Sequence, residues 1–350
     1  MHKNNFLDTL EPNYFHIEWE STLKCNLDCS YCGDGHNNKI PHPSLEDSLH
    51  TLDFIVDYVT AQFKTRPKAL QQASLNILGG ESLFHPNILE ILDYADQKKK
   101  QVDWQFYIGT ITNAVVGKRL WKSIVEMLDY FTVSFHAEAL PKQRKQVKDN
   151  LLYLKKENKN FHVSIMMHPK QWDVCIDMIE FCKKYDMRYE TRQIDHDWFD
   201  WRFNYTSEQA EFITGKRPAS LLQTATAIVT QGVNLSAEGR ACCGGQMMCT
   251  NSGCTKFVDN RFKGWNCSVD KFFLYIRQTT GEIFTNKDCR MNFDGKVGPI
   301  GNLKNTQALL DRIEQGTETI ICKKSRCWCG ICAPKALHKK DYESIMTRYV

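Results

Sequence analysis

The sequence predicts an α/β protein built on a parallel sheet, and three observations predict it. Short aromatic and β-branched runs alternate six times with segments of helical periodicity, at connection lengths that suit crossovers. Several runs end in turn or ligand residues rather than packing residues, such as Gly79-Gly80-Glu81 and Thr112-Asn113. The alternation stops near residue 194, and ten of the fifteen cysteines lie beyond it, from Cys242 to Cys332.

Taken in order, residues 14–20 form an aromatic, β-branched first strand that leads into Cys25. Pro41 and Pro43 punctuate. Leu45, Leu49, Leu52, Ile55, Val56 and Val59 then recur at helical spacing. The second strand, 75–78, ends in Gly79-Gly80-Glu81 and is followed by a helix through Ile88, Leu92 and Ala95. The third, 104–108, runs towards Thr112-Asn113, with a helix through Leu120, Ile124, Val125 and Leu128 behind it. The fourth, 131–135, precedes a helix with Val147, Leu151 and Leu154. The fifth, 161–165, precedes one with Trp172, Cys175, Met178, Ile179 and Cys182, and the sixth strand is 188–194. Cys175 and Cys182 share one helix face and read as small core hydrophobes. His85, His136 and His168 follow strands two, four and five and read as turn or core residues, with a place in the pocket as the alternative. In parallel sheets functional groups gather at the C-terminal strand ends. The Cys25 loop, Gly79-Gly80-Glu81, Thr112-Asn113 and Ser134 all fall there.

Composition sets the class. With 350 residues, 42% hydrophobic and 25% charged, the chain reads as a soluble globular protein of about two domains. The net charge of +4 comes from scattered Lys and Arg, which argues against a nucleic-acid partner. No apolar run reaches transmembrane length and the first residues lack a signal-peptide core, so no membrane association is expected. Fifteen cysteines without a secretory signal point to metal binding in a reducing cytoplasm instead of disulfides.

The sharpest motif is Cys25-x3-Cys29-x2-Cys32, with Tyr31 before the last cysteine. Iron–sulfur clusters are normally held by four cysteines. Three in one tight loop leave an iron with an open position, as in catalytic metal sites. The competing reading is structural zinc on Cys29 and Cys32, with His36 nearby as a further ligand.

The triplet resembles the signature of the radical S-adenosylmethionine (SAM) superfamily, and residues 14–194 resemble its partial (β/α)6 TIM-like barrel. The resemblance implies a [4Fe–4S] cluster on Cys25, Cys29 and Cys32, whose open iron chelates SAM. SAM is then cleaved to a 5′-deoxyadenosyl radical that abstracts a substrate hydrogen. Gly79-Gly80-Glu81 matches the family's GGE motif, which seats SAM. By the same resemblance Tyr31 flanks the adenine, and Asn113 and Ser134 contact SAM. An electron donor such as flavodoxin or ferredoxin is implied as a partner.

The rest differs in kind. Residues 195–240 read as an aromatic linker or lid, with Trp198 to Phe203 at its start and a short helix around Ala210, Phe212 and Ile213 that Gly215 ends. Residues 241–350 read as a small Cys-rich α+β domain with a hairpin, 272–276 and 282–285, around Thr279-Thr280-Gly281. Cys267 precedes the hairpin and Cys289 follows it, so it would bring the two thiols together. A helix through Leu309, Leu310 and Ile313 leads to Cys322-x4-Cys327-x-Cys329-x2-Cys332. This part resembles the SPASM and twitch extensions that hold auxiliary [4Fe–4S] clusters, although the usual terminal C-x2-C-x5-C-x3-C is absent. The resemblance implies one auxiliary cluster on Cys267, Cys289, Cys329 and Cys332. Cys249, Cys254, Cys322 and Cys327, with Cys242 or Cys243, are left for a second cluster or a zinc. Either Cys242 or Cys243 is alternatively a hydrogen-atom donor.

The expected substrate is a peptide or protein side chain. Dehydrogenation or epimerisation of a carbohydrate or aminocyclitol is the alternative, and a nucleotide or RNA base comes third. Only about a dozen residues precede the first strand, which argues against dependence on a leader peptide. From another class, the chain would be a non-catalytic zinc or iron–sulfur module, which gives no reason for Gly79-Gly80-Glu81 at a strand end.

Overall fold

A computed structural model describes residues 6–7, 14–32, 38–194, 205–214, 240–242, 247–249, 262–287, 289–317, 319–324, 333–347 and 349. The first half alternates as expected: β1 (Phe15–Thr22), α1 (Leu45–Phe63), β2 (Gln72–Gly79), α2 (Ile88–Gln101), β3 (Gln105–Thr112), α3 (Lys118–Met127), β4 (Tyr130–His136), α4 (Pro141–Lys156), β5 (Asn160–Met167), α5 (Trp172–Lys184) and β6 (Tyr189–Gln193). After α6 (Ser207–Thr214) come β7 (Phe273–Arg277), β8 (Glu282–Phe284), α7 (Thr306–Glu314) and α8 (Lys339–Met346). Local chemistry starts the helices. Ser44 caps α1 by accepting from the Asp47 N–H, and Pro141 opens α4, where a missing N–H costs nothing.

Strands β1 to β6 pair in sequence order and in parallel, with registers such as Glu20↔Leu78 and Ser134↔Ser164. Right-handed crossovers between neighbours in that order place every helix on one face. The side chains record this. Phe15, Ile17 and Trp19 of β1, Leu75 and Ile77 of β2, and Val163, Ile165 and Met167 of β5 are buried in the main apolar core with the helices. Their neighbours are His16, Glu20, Asn76, Ser134, His136, Ser164, Glu190 and Arg192. A sheet covered by helices on both faces reads as continuous apolar runs. Alternation here means one polar face turned inward, and the sheet is the partial TIM-like barrel. Cys175 and Cys182 lie fully buried in the helix-side core, as their spacing implied.

The hairpin β7–β8 forms where the sequence places it, with Tyr275↔Phe284 in register. It also extends the main sheet, because β7 lies parallel to β1 from Phe273↔His16 to Arg277↔Glu20. Local sequence could not reveal that pairing, whose partners lie some 250 residues apart. Beyond β7, the Gln278 side chain locks the junction: its Oε1 accepts from the buried Trp19 indole at 2.8 Å, and its backbone N–H donates to Glu20 O. Gln278→Leu leaves the Trp19 N–H without its acceptor and should destabilise the fold by about 1–3 kcal/mol, read as a lower urea midpoint at unchanged slope. A smaller antiparallel sheet joins Phe6–Leu7, Lys335–Ala336, Asn266–Cys267 and Ile320–Ile321. Among the described residues no helix is long and apolar enough to cross a membrane.

Candidate functional site

The chain leaves β1 at Thr22 and turns at once into the cysteine loop, at the C-terminal end of the sheet. Leu27, Cys29 and Tyr31 pack with Ala139 and Ile194, and Cys25, Cys32, Val115 and Met166 close around them. The loop therefore sits over the ends of β3 to β6. The Cys32 N–H donates to Cys29 O at 3.1 Å, which curls the last two cysteines into one turn. Burial pushes the Cys25 thiol up to about 11 and the Cys29 thiol up to about 12, and neighbouring thiols push the same way. Burial raises Cys32 too. All three cysteines belong to the same packed cluster around Leu27 and Tyr31.

Gly79 and Gly80 explain how β2 reaches that loop. The Gly80 N–H donates to Thr22 O at 2.8 Å and the Glu81 N–H to Lys24 O at 2.7 Å. A Cβ on Gly79 would stand 2.1 Å from Thr22 O, and one on Gly80 would stand 2.4 Å from Lys24 O. Only glycine permits this approach. Glu81 is buried, and its carboxylate accepts from the Leu83 and Asn113 N–H groups and from the Thr112 hydroxyl. Burial lifts it to about 7 against those three bonds. The Asn113 amide donates to Asn26 Oδ1 at 2.8 Å and reaches Cys25 Sγ at 3.8 Å, and its oxygen accepts from the Val115 N–H. Glu81 and Asn113 thus form a chain of contacts from β2 through β3 to the first cysteine.

Tyr31 lies on the other side. Its hydroxyl is 2.8 Å from His136 Nδ1, its ring stacks on His136, and it also bonds to the Cys29 thiol. Burial lowers His136 to about 4, against the Glu138 carboxylate. Ser134 stands in register with Ser164, which donates to Glu190. Arg192 also donates to Glu190; burial pushes the Glu190 carboxyl up, but His162, Arg192 and Ser164 outweigh it and take it down to about 2. Sequence reasoning missed Glu138, which accepts from the Ser30 N–H at 2.6 Å. No spacing pattern links residues 108 apart.

The donor set fits an iron–sulfur cluster: three soft thiols share one loop, an amide lies near one sulfur, and the polar sheet face lies beneath. Among the described residues no three Cys, His, Asp or Glu side chains converge on a point suited to a single metal ion. A cluster with its own sulfides spans thiols set further apart. His36, the zinc alternative, lies outside the described residues. In the C-terminal part Cys267, Cys289 and Cys322 are buried. The Cys322 N–H donates to Trp265 O, so Cys322 follows directly on the strand Ile320–Ile321 that pairs with Asn266–Cys267. The backbones of Cys242 and Cys249 lie on two short paired strands. Cys243, Cys254, Cys327, Cys329 and Cys332 lie outside the described residues, as does the aromatic stretch from Trp198 to Phe203.

No family model matches the chain, and no curated protein matches it. Solved structures do. Streptococcus suis SuiB bound to S-adenosylmethionine superposes with a TM-score of 0.50 at 12% identity over 85% of this chain. The chain spans 65% of that protein's length. SuiB bound to its precursor peptide SuiA matches at 13% identity and TM-score 0.50, covering 91% of this chain and 70% of SuiB. The protein anSMEcpe with bound AdoMet and the Cp18Cys peptide matches at 13% and 0.50, covering 86% of this chain and 81% of its own. Identities this low speak for the fold alone. The chain shares the fold of SuiB and anSMEcpe.

Proposed function

We propose that this chain is a radical SAM enzyme that modifies a peptide or protein side chain. One observation carries the reading: the Cys25-Cys29-Cys32 loop sits over the strand ends, with Gly79 and Gly80 bonded against its base. Held by those three cysteines, a [4Fe–4S] cluster would supply the one-electron reduction that SAM-dependent radical chemistry needs. The chain's residues supply the rest. Cys25, Cys29 and Cys32 provide the thiolates, and Glu81 and Asn113 hold the first cysteine in place. Gly79 and Gly80 keep the sheet edge bare of side chains where SAM binds, Tyr31 flanks its adenine, and Ser134 faces it. The buried surroundings of the loop exclude water from the reacting atoms.

The peptide substrate is supported by SuiB and anSMEcpe, both of which are seen with peptides bound. The reading keeps residues 1–194 as the radical core, 195–240 as a linker or lid, and 241–350 as the auxiliary-cluster region. Cys267, Cys289, Cys329 and Cys332 hold an auxiliary cluster, and Cys249, Cys254, Cys322 and Cys327 are ligands of a second site. Cys242 or Cys243 is the hydrogen-donor candidate. A cytoplasmic location and a flavodoxin or ferredoxin donor complete the proposal. The test is anaerobic reconstitution with iron and sulfide, then 5′-deoxyadenosine formation from SAM under a strong reductant. Iron-loaded protein that forms none with any peptide, sugar or aminocyclitol offered would sink it.

Loading should depend on pH. The triplet thiols are raised, so each must lose a proton before it can bind iron. Iron uptake at the triplet should therefore rise as pH goes from about 7 to about 9, with thiolate gaining about tenfold per unit at each sulfur. Uptake that is flat across this range, measured against a Cys29→Ala blank, would contradict the burial argument.

A further inference from the structure

The loop between Cys29 and Cys32 is only two residues long, and both are held from the sheet. Tyr31 is held by its ring and hydroxyl against His136. Ser30 is held by Glu138: its N–H donates to Oε2 at 2.6 Å and its hydroxyl to Oε1 at 2.7 Å. Glu138 is itself fixed from both sides. Arg144 of α4 donates to Ala137 O at 2.7 Å and to Ala139 O at 3.0 Å, the carbonyls flanking it. His168, after β5, has an Nδ1 that accepts from the Lys170 N–H, so its proton is on Nε2, which donates to Glu138 Oε1 at 3.1 Å. Three contacts thus aim one carboxylate at Ser30, between two of the loop cysteines.

We propose that Glu138 is the positioning residue of the cluster loop, and that its charge sets how readily the cluster on Cys25, Cys29 and Cys32 accepts an electron. The proposal rests on the cluster reading above. Two effects act in the same direction. A carboxylate beside the loop disfavours an added electron on the cluster. Turning the Ser30 N–H onto Glu138 also removes a donor that would otherwise be free to bond a cluster sulfur. Hydrogen bonds to sulfur, local charge and exposure are the terms by which a protein tunes a cluster. Both effects lower the potential.

The variants separate geometry from charge. Glu138→Gln keeps an oxygen for the Ser30 N–H and removes the charge. It should retain wild-type iron while its midpoint potential shifts upward. Glu138→Ala removes both, and should show the upward shift together with about tenfold faster loss of iron to a chelator. Ser30→Ala, which keeps the N–H bond, should lose iron at an intermediate rate. The potential is read from the reduced-cluster electron paramagnetic resonance signal that disappears in Cys29→Ala, which isolates the triplet from any other cluster. Glu138→Gln is sufficient by itself if Glu138→Ala fails to fold. A wild-type potential in Glu138→Gln, or chelator kinetics in Glu138→Ala that match wild type, overturns the proposal. Protein that gains no triplet iron relative to Cys29→Ala overturns the cluster reading instead.

Discussion

Cys29→Ala is expected to abolish 5′-deoxyadenosine formation while leaving the fold intact. The loss should exceed about a hundredfold, since removing even a supporting partner of a metal ligand costs about 10–100-fold. Cys29 is the most buried of the three cysteines, and its sulfur belongs to the packed group with Leu27, Tyr31, Ala139 and Ile194. Its replacement removes a thiolate and opens a small gap but disturbs no backbone bond: the Cys32 N–H still reaches Cys29 O. Circular dichroism should therefore match wild type. Iron content should fall by the share of one cluster and not to zero, because the cysteines after Cys242 are untouched. Two measurements on the reconstituted protein check this, iron per chain and 5′-deoxyadenosine by chromatography. Activity surviving at more than a few per cent would mean the triplet is not the catalytic site.

Gly80→Ala is expected to have the next largest effect, and through a different cause. Its Cβ would meet Lys24 O at 2.4 Å and Leu23 O at 2.6 Å, both backbone atoms that cannot rotate away. Either β2 or the start of the cysteine loop must move. Overpacking of this kind costs about 1–3 kcal/mol, and the strain falls on the segment joining β1 to Cys25. The neighbouring Glu81 N–H bond to Lys24 O, at 2.7 Å, would lengthen or break. Thermal unfolding should begin several degrees earlier, and SAM binding measured by calorimetry should weaken by about tenfold or more, as expected when a site is displaced by about an ångström. An unchanged SAM affinity would show that the close approach of these strands serves packing only.

Much of this was legible because it is local. Strand and helix periodicity is written in neighbouring residues, and the six alternations appear within a few residues of their expected bounds. The triplet was legible for the same reason, since a loop that brings three thiols together must carry them close in sequence. Gly79-Gly80 was visible as a motif, but its partner was not. The carbonyls of Thr22, Leu23 and Lys24 that exclude any side chain there lie across the sheet. Asn113 and Glu81 were expected to face SAM, and the structure adds that the Glu81 carboxylate bonds to the end of β3 and the Asn113 amide to the cysteine loop.

By itself, then, the sequence determined the parallel α/β barrel, the cysteine loop at its rim and the cysteine-rich character of the last hundred residues. Each follows from periodicity or from spacing along the chain. Tertiary structure alone decided that β7 joins β1 as a further strand of the sheet, and that Gln278 ties this junction to Trp19. It alone set Glu138, held by Arg144 and His168, on the peptide between two cysteines. The physical reason is the same in each case. Hydrogen bonds between residues a hundred or more positions apart depend on where strands end and how they register, and no single stretch of sequence carries that information.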